Sequence, residues 1–380
     1  MAKSVILDGL RSPIGLKNGK LFNEELGIIT RSDNLSADVL KALIIRVGID
    51  KSLYEDFVLG CAFPEGPQGM LMARGVTVLS DMPNTIAASI VNRFCGSSMD
   101  AVHQISTSIE SNDINIGIAG GVEDMFGVPM GGGWPSFNDV LSEKEFYIGM
   151  GETAETLAQE LSISREDQEE FAVNSHKKAL RAQLDGKFDN EITPINVNGE
   201  SVNKDEGPRE PNLEKIKSLN PAFDVNGTIT PATSSPISIG ASMIAISNEE
   251  KAKDLGVRPK FRILGRSVVG VDWKTMGSGP LPATEKVLKK CKMTMADIDV
   301  IELNEAFAAQ SLYVIRKGGW DETKVNLNGG AIALGHPLGC SGSRIIITLM
   351  NVMEQNNFNT GLATMCIGTG QGIATVIERI

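Results

Sequence analysis

Short apolar runs alternate along this chain with longer stretches in which apolar residues recur at helical spacing. Residues 4–8 and 261–264 each predict a strand that opens one half of the chain. In the first half, an apolar helical stretch over 99–109 is followed by a strand over 114–119. Such alternation of strands and helices is typical of α/β domains with buried central sheets.

The second half repeats the order of the first. A small-residue segment again opens a helical stretch, over 345–353, and a strand follows over 362–365. The spacing also agrees, because the residue after the strand, Gly120 in the first half and Cys366 in the second, lies 25 residues after Cys95 and 26 residues after Cys340. The pattern therefore predicts a duplicated α/β unit.

A segment of different character separates the halves. It includes a polar stretch rich in Gly, Pro and Asn over 196–230, which is typical of loops. We predict an N-terminal α/β half over residues 1–122, to which 238–258 return, an inserted loop domain over 123–237, and a C-terminal α/β half over 259–380.

One helix inside the insertion has both ends marked in the sequence. Ser164, followed three residues later by Asp167, resembles a capping box, and Asp185 with Gly186 predicts the helix end. His176 falls on this helix among lysines and an arginine. We therefore expect His176 on a solvent-exposed face.

Composition limits the class of protein. The 380 residues, 42% of them hydrophobic, can bury a large core. A formal charge of -11 and a pI near 5.0 argue against nucleic acid as a general partner. No apolar run approaches the ~20 residues of a membrane span, and the first residues do not resemble a targeting segment. We predict a cytoplasmic location, or an organelle matrix if a presequence has been removed.

The five cysteines include no CxxC pair, so they fit neither a disulfide framework nor a zinc site. We predict free thiols and no metal. Cys61, Cys291 and Cys340 are interpreted as small buried residues. Cys95 and Cys366 differ, because small flexible residues follow each and let backbone N–H groups and a substrate approach the sulfur. Cys95 is the first candidate nucleophile, in a setting that favours its thiolate.

The candidate base is one of three histidines. His336 lies in the Gly-rich block 329–342 and is followed by Pro337, which fixes the loop. His103 follows Cys95 by eight residues, or about 12 Å of helical rise, so we assign it a structural role.

Four blocks in this order and spacing resemble the thiolase family: Val91 to Ala101 around Cys95, Asn304 to Ala308 (NEAFA), Gly329 to Gly342 (GGAIALGHPLGCSG) and Cys366 to Gly372 (CIGTGQG). The resemblance extends from Arg11-Ser12-Pro13 to the last predicted strand. It implies a duplicated thiolase-type α/β fold, in which two similar halves with layered central sheets and helices carry an inserted lid domain over the coenzyme A site.

The resemblance also implies catalytic roles. Cys95 matches the acyl-carrying nucleophile, His336 the histidine that activates it, and Cys366 the cysteine that moves a proton to and from the acetyl enolate. Asn304 matches the residue that holds a water in one oxyanion hole together with His336, and the N–H groups of Cys95 and Gly368 match the other. Glu305 can be argued as a general base, but a structural carboxylate is the preferred interpretation.

Coenzyme A contacts are implied at Met150, Leu219, Phe223, Ser235, Met276, Ala306 and Phe307, an apolar sleeve with one hydroxyl. The chain departs from the family pattern at Thr233, Pro236 and Ile239, where Asn, Gly and Asp are usual. Because proline fixes φ and lacks a donor, the shape of this loop is open.

The implied activity is that of a degradative 3-ketoacyl-CoA thiolase of fatty acid beta-oxidation, which cleaves 3-oxoacyl-CoA by a ping-pong route through a Cys95 acyl-enzyme. It needs coenzyme A as co-substrate and no other cofactor. The alternatives are an acetyl-CoA C-acetyltransferase, a ketoacyl synthase-like condensing enzyme, and a catalytically silent CoA or lipid binder. The resemblance further implies a homodimer or homotetramer and allows a partner subunit with hydratase and dehydrogenase activities. Acyl chain length stays open.

Overall fold

The computed structural model describes residues 3–380 and is a mixed α/β structure. The strands are β1 Ser4–Arg11, β2 Phe22–Asn23, β3 Ile28–Ile29, β4 Asp56–Gly60, β5 Ala87–Val91, β6 Ile116–Asp124, β7 Ile195–Val197, β8 Glu200–Val202, β9 Ile239–Asn248, β10 Phe261–Gly270, β11 Val300–Leu303, β12 Thr360–Ile367 and β13 Gln371–Arg379. The helices are α1 Ser32–Val47, α2 Met72–Leu79, α3 Ser97–Glu110, α4 Asp139–Glu143, α5 Met150–Glu160, α6 Arg165–Leu184, α7 Leu213–Lys217, α8 Glu249–Asp254, α9 Pro280–Cys291, α10 Ala308–Gly318, α11 Ala331–Leu334 and α12 Leu338–Asn356.

The predicted duplication is visible in the order of the strands. The main sheet has nine strands in the order β11-β12-β13-β10-β1-β9-β6-β4-β5. Outward from the centre, β1-β9-β6-β4 and β10-β13-β12-β11 follow the same course, with two antiparallel pairings and then a parallel one. Within the sheet, the halves join through a short antiparallel pairing of β1 with β10. The expected central sheets are therefore continuous with each other.

Two helices at equivalent positions of the repeat, α3 and α12, pack against each other and against the sheet. Met99 and Ile105 of α3 share an apolar core with Ile345 and Leu349 of α12, together with strand residues from both halves. The helices approach closely where Gly342 lies, because a Cβ there would come 2.4 Å from the backbone nitrogen of Met99. The small residues that open both helices thus permit their contact.

The segment between β6 and β9 carries the short elements α4, α7, β7 and β8 besides the longer helices α5 and α6. The predicted capping box is confirmed, since Ser164 accepts a hydrogen bond from the backbone of Asp167 at 3.0 Å and Asp167 accepts one from Ser164. None of the helices within residues 3–380 is long and apolar enough to cross a membrane.

A buried cation ties this segment to the sheet. The guanidinium of Arg11, at the end of β1, donates to Glu191 at 2.7 Å and to both carboxylate oxygens of Asp205 at 2.7 and 2.8 Å. All three side chains are fully buried. Because Arg11 belongs to β1 and both carboxylates belong to the insertion, this network fixes the insertion on the sheet. Truncation of one partner would leave a buried charge unpaired.

The prediction that His176 is solvated is wrong. Its residue is 5% exposed, because α6 packs against α11 and the histidine faces inward. Burial, with a smaller contribution from the charge of Arg209, lowers the pKa of His176 to about 4. Charged neighbours along a helix therefore did not indicate which face is buried.

Protonation of His176 in the unfolded chain is expected to lower the free energy of unfolding in mild acid. Below pH 6.5, the ordinary pKa of histidine, the unfolded chain protonates His176. The folded chain protonates it only near pH 4. Stability should therefore fall as the pH drops through this window, by about 1.4 kcal/mol per pH unit for this one group. In urea unfolding between about pH 7 and about pH 5, His176→Gln should show a shallower decline than the wild type. Equal slopes would contradict the assignment.

Candidate active site

Cys95 lies in a single turn of 3-10 helix, Phe94–Gly96, immediately before α3. The turn is fixed by Ser97, whose hydroxyl donates to the carbonyl of Phe94 at 2.6 Å and accepts from the backbone of Arg93 at 2.9 Å. Cys95 is half-buried. The sequence thus correctly predicted an accessible cysteine at the start of a helix.

The expected stabilisation of its thiolate by backbone N–H groups is outweighed by burial in the resting structure. Burial raises the pKa of the Cys95 thiol to about 11, although the N–H groups of Gly368 and of Cys95 itself act in the opposite direction. These N–H groups are the ones that the family pattern assigns to an oxyanion hole. They lie at the sulfur, but desolvation has the larger effect.

This raised pKa predicts slow modification of Cys95 at neutral pH. The thiolate is the reactive form, so the rate of alkylation by iodoacetamide should rise about tenfold per pH unit from about pH 7 to about pH 10. Mass spectrometry of the peptide that contains Cys95 would measure this rate separately from the other thiols. A plateau that begins below about pH 7 would instead indicate a preformed thiolate.

His336 is held on both sides of its ring. Its Nδ1 lies 2.6 Å from the hydroxyl of Ser341, one turn into α12, and its Nε2 lies 3.3 Å from Nδ2 of Asn304. Burial, with a smaller contribution from the charge of Arg344, lowers the pKa of His336 to about 3. The imidazole is therefore neutral at physiological pH.

The hydrogen bonds also assign the tautomer of His336. The hydroxyl of Ser341 donates to the carbonyl of Pro337 at 3.0 Å, so it accepts at Nδ1. Nδ1 thus carries the proton, and the lone pair of Nε2 accepts a long hydrogen bond from Nδ2 of Asn304. An uncharged Nε2 with a lone pair is the form that a general base requires.

Cys366 lies near the end of β12 and is buried, 1% exposed. Burial raises the pKa of its thiol, and the charge of an ionised Cys95 would raise it further, which indicates that the two sulfurs interact. Gly368 begins the turn from β12 into β13 and faces Phe94 and Met150. The hairpin therefore brings Cys366 and Gly368 to the Cys95 turn.

The structure adds a residue that the sequence reasoning missed. Glu123, fully buried at the end of β6, accepts hydrogen bonds from the backbone of Ala62 at 2.7 Å and Phe63 at 3.2 Å, from Gln68 at 2.9 Å, and from the backbone of Gly339 at 2.8 Å. It fixes the loop after β4 against the start of α12. Leu338 and Cys95 meet in the apolar cluster beside this loop.

The Glu305 carboxylate is buried and accepts from Ser175 at 2.7 Å, Asn326 at 2.9 Å and the backbone of Ile332 at 3.2 Å. These contacts support the structural interpretation of Glu305. His103 likewise makes a buried contact, 2.8 Å from the hydroxyl of Thr375. Cys61 and Cys340 are buried as expected, whereas Cys291 is half-buried.

Most of the predicted coenzyme A contacts lie together. Met150, Met276, Ala306 and Phe307 share one apolar cluster, and the ring of Phe223 meets that of Phe307 edge-on at 5.7 Å. Ser235 joins this group, because its backbone donates to the carbonyl of Ala306 at 3.0 Å. Leu219 is held by Arg165, which donates to its carbonyl at 2.7 Å.

The residues that depart from the family pattern fit the fold. Thr233 is buried and exchanges hydrogen bonds with the backbone of Thr230 at 3.0 and 3.2 Å. Ile239 begins β9 in the apolar core and pairs with Gly15. Pro236 lies before this strand, and its carbonyl accepts from Ser238 at 3.2 Å.

Within the described residues, no group of three His, Cys, Asp or Glu side chains is placed to hold a metal ion.

Comparison with family models gives two matches that together span almost the whole chain. The model described as "Thiolase, N-terminal domain" matches residues 4–250, and that described as "Thiolase, C-terminal domain" matches residues 257–379. The first match ends at the start of α8, and the second begins between α8 and β10, where the second copy of the strand order starts.

Individual proteins match over the same extent. The chain is 46% identical to a 3-ketoacyl-CoA thiolase of Acinetobacter baylyi, over 99% of this chain and 98% of that protein. It is 46% identical to one of Shewanella denitrificans over the full length of both. Among solved structures, an acetyl-CoA acetyltransferase of Bacillus anthracis superposes with a TM-score of 0.90 at 35% identity, over 100% of this chain and 99% of that one.

Proposed function

The chain belongs to the thiolase family, and from this membership we propose that it is a 3-ketoacyl-CoA thiolase that cleaves 3-oxoacyl-CoA with free coenzyme A. The observation that carries the proposal is the neutral His336, whose Nε2 lone pair faces Asn304. A base of this form is what a cysteine with a raised pKa needs before it can attack a ketone.

The proposed reaction begins with proton transfer from Cys95 to Nε2 of His336. The thiolate then attacks C3 of the substrate, and the N–H groups of Cys95 and Gly368 stabilise the oxyanion on C3. Nε2–H of His336 and a water on Asn304 stabilise the thioester oxygen, which takes up the charge of the enolate. The C2–C3 bond breaks, the acetyl-CoA enolate takes a proton from Cys366, and acetyl-CoA leaves. The shortened acyl group stays on Cys95 as a thioester.

The second half-reaction restores the enzyme. The Cys366 thiolate takes the proton of the incoming coenzyme A thiol, which attacks the acyl thioester. The N–H groups of Cys95 and Gly368 stabilise this oxyanion, and Cys95 leaves as a thiolate that regains its proton from His336. The thioester itself acidifies the α-carbon, so the proposed route uses coenzyme A as co-substrate and no metal or organic cofactor.

A panel of 3-oxoacyl-CoA substrates from about C4 to about C16 tests the proposal. Loss of the 3-oxoacyl-CoA absorbance on addition of coenzyme A is the expected result. Cleavage confined to the shortest substrate would favour an acetyl-CoA C-acetyltransferase, the activity named for the structural relative from Bacillus anthracis. Tight coenzyme A binding without turnover would indicate a silent binder, and acceptance only of acyl carrier protein substrates a condensing enzyme.

We propose that residues 123–237 form the lid over coenzyme A, between the halves 1–122 with 238–258 and 259–380. The contact of Phe223 with Phe307 supports this, because it joins the segment to the NEAFA block. Arg165 adds support, since one guanidinium nitrogen donates to the carbonyls of Ile216, Lys217 and Leu219 and so fixes the chain before Phe223.

Substitution of Gly151 is expected to weaken coenzyme A binding. A Cβ at Gly151 would lie 2.1 Å from the ring of Phe223, so Gly151→Ala must push this ring away from the sleeve. We expect KM for coenzyme A to rise about tenfold while kcat changes less than about twofold. The matched control is Gly149→Ala on the same helix start, where a Cβ would meet nothing closer than 3.7 Å. Equal effects of the two changes would contradict the assignment of Phe223.

We propose that the chain is a homodimer or homotetramer in the cytoplasm. Its edge strand β5 is only partly buried, and the helix beside this strand, α2, exposes the apolar side chains of Val78 and Leu79. An exposed apolar edge of this kind supports pairing between two copies. Light scattering would measure the assembly, and co-purification would test for a partner subunit with hydratase and dehydrogenase activities.

A further inference from the structure

An ion pair lies in the core without the hydrogen bonds that such pairs need. Glu302 of β11 and Arg344 of α12 are each 1% exposed, and their closest charged atoms are 3.8 Å apart. Every nitrogen of the guanidinium and both oxygens of the carboxylate lack a hydrogen-bond partner among the described residues. Burial raises the pKa of Glu302 to about 8 and lowers the pKa of Arg344, and the charge of each partner acts against the shift of the other. A buried pair in this state opposes folding rather than favours it. The stability of the fold therefore does not account for the pair.

The location of the pair beside the proposed catalytic histidine suggests a functional reason for it. Glu302 lies two residues before Asn304, and Arg344 lies three residues after Ser341. Asn304 and Ser341 are the residues that hold the two ring nitrogens of His336. The pair thus connects, within the core, the two elements that meet at the imidazole.

The charges around Arg344 come from several elements. Glu302 on β11 and Glu191 on the insertion attract it, Arg11 on β1 repels it, and Cys340 lies on its own helix. Its charge also acts on His336, where it adds to the effect of burial. Asn304 and Ser341 face the ring without charge. Arg344 is thus the formal charge that acts on the imidazole.

We propose that Arg344, paired with Glu302, is a positioning residue for the reaction: it keeps Asn304 against His336 and presents a fixed positive charge to the imidazole. The proposal rests on the proposed thiolase function. A positive charge near the ring disfavours the imidazolium, so Nε2 keeps its lone pair for the proton of Cys95 over a wider range of pH. The contact with Glu302 keeps β11, and with it Asn304, in register with α12.

Three variants separate the two effects. The double variant Glu302→Leu/Arg344→Met removes both charges and leaves neither unpaired, so it is expected to fold. Arg344→Lys keeps the charge but not the planar shape of the guanidinium. Gln310→Leu, which removes another buried group without a hydrogen-bond partner, is the matched control in the neighbouring helix α10.

Kinetics and the ¹⁵N signals of the imidazoles are measured from about pH 3 to about pH 9, a range that includes the lowered pKa of His336. We expect the double variant to lose about tenfold in kcat with KM changed less than about twofold, and its acid limb to move to higher pH. The same shift should appear in the His336 titration, which needs no turnover. Arg344→Lys should keep the acid limb of the wild type, and Gln310→Leu should keep both values.

A folded double variant with wild-type kcat, acid limb and His336 titration would overturn the proposal, because the pair would then be a structural contact only. A wild-type protein that fails to cleave any 3-oxoacyl-CoA would instead refute the proposed function. The His336 titration distinguishes these failures, since it reports the effect of Arg344 in either case.

Discussion

Replacement of Cys95 by serine is expected to reduce kcat for thiolysis by about 10³-fold or more. The hydroxyl has a much higher pKa than the thiol, and the neutral His336 cannot generate the alkoxide at physiological pH. The half-buried site should accept serine without loss of stability. Steady-state thiolysis of the best substrate in the panel measures the effect.

The acyl adduct gives a second readout of the same prediction. After incubation with acetyl-CoA, mass spectrometry should find an acetyl group on the peptide that contains Cys95 in the wild type and none there in Cys95→Ser. Cys366→Ser should still form the adduct, but more slowly, because Cys366 also exchanges the proton of the coenzyme A thiol. It should lose carbon–carbon cleavage, because no thiol is left to protonate the enolate. Cys291→Ser, at a half-buried thiol outside the site, is the control and should match the wild type. An adduct on any other cysteine would refute the assignment of the nucleophile.

The second large effect is expected for His336→Gln. Glutamine can still contact Ser341 and Asn304, but it offers no lone pair of suitable basicity, so kcat/KM should fall by about 10²- to 10⁴-fold. The loss should affect both half-reactions, because the same Nε2 takes and returns the proton of Cys95. Single-turnover acylation and deacylation would measure each half separately.

The control for His336→Gln is His176→Gln, a second buried histidine with a lowered pKa that contacts no proposed catalytic group. It should keep kcat/KM within about twofold while it changes the dependence of stability on pH. Comparable losses of activity in the two variants would mean that the effect comes from buried histidines in general. Acylation at the wild-type rate in His336→Gln would exclude it as the base.

The predicted catalytic groups were found in the sequence because their signals are local. Cys95, His336 and Cys366 each lie next to small residues that leave space for backbone N–H groups and substrate. The capping box at Ser164 is equally local, since both partners lie within four residues. The domain boundaries and the catalytic roles themselves stay predictions.

Errors occurred where burial decided the outcome. The charged neighbours of His176 suggested exposure to solvent, but the folded chain buries this side of α6. The glycine and serines after Cys95 suggested a thiolate, but desolvation raises the pKa of the thiol. Periodicity and neighbouring residue types do not show how much water the folded chain excludes from a position.

The sequence by itself determined the duplicated α/β order, the helix starts and the identities of the candidate nucleophile and base, because these depend on residues close together in the chain. Only the tertiary structure decided the protonation of Cys95 and His336, the tautomer set by Ser341 and the hydrogen bonds that Glu123 accepts. Glu123 meets the backbone of Gly339 from 216 residues away. Such contacts and the burial that accompanies them arise when the two halves pack around α3 and α12, and no local pattern encodes them.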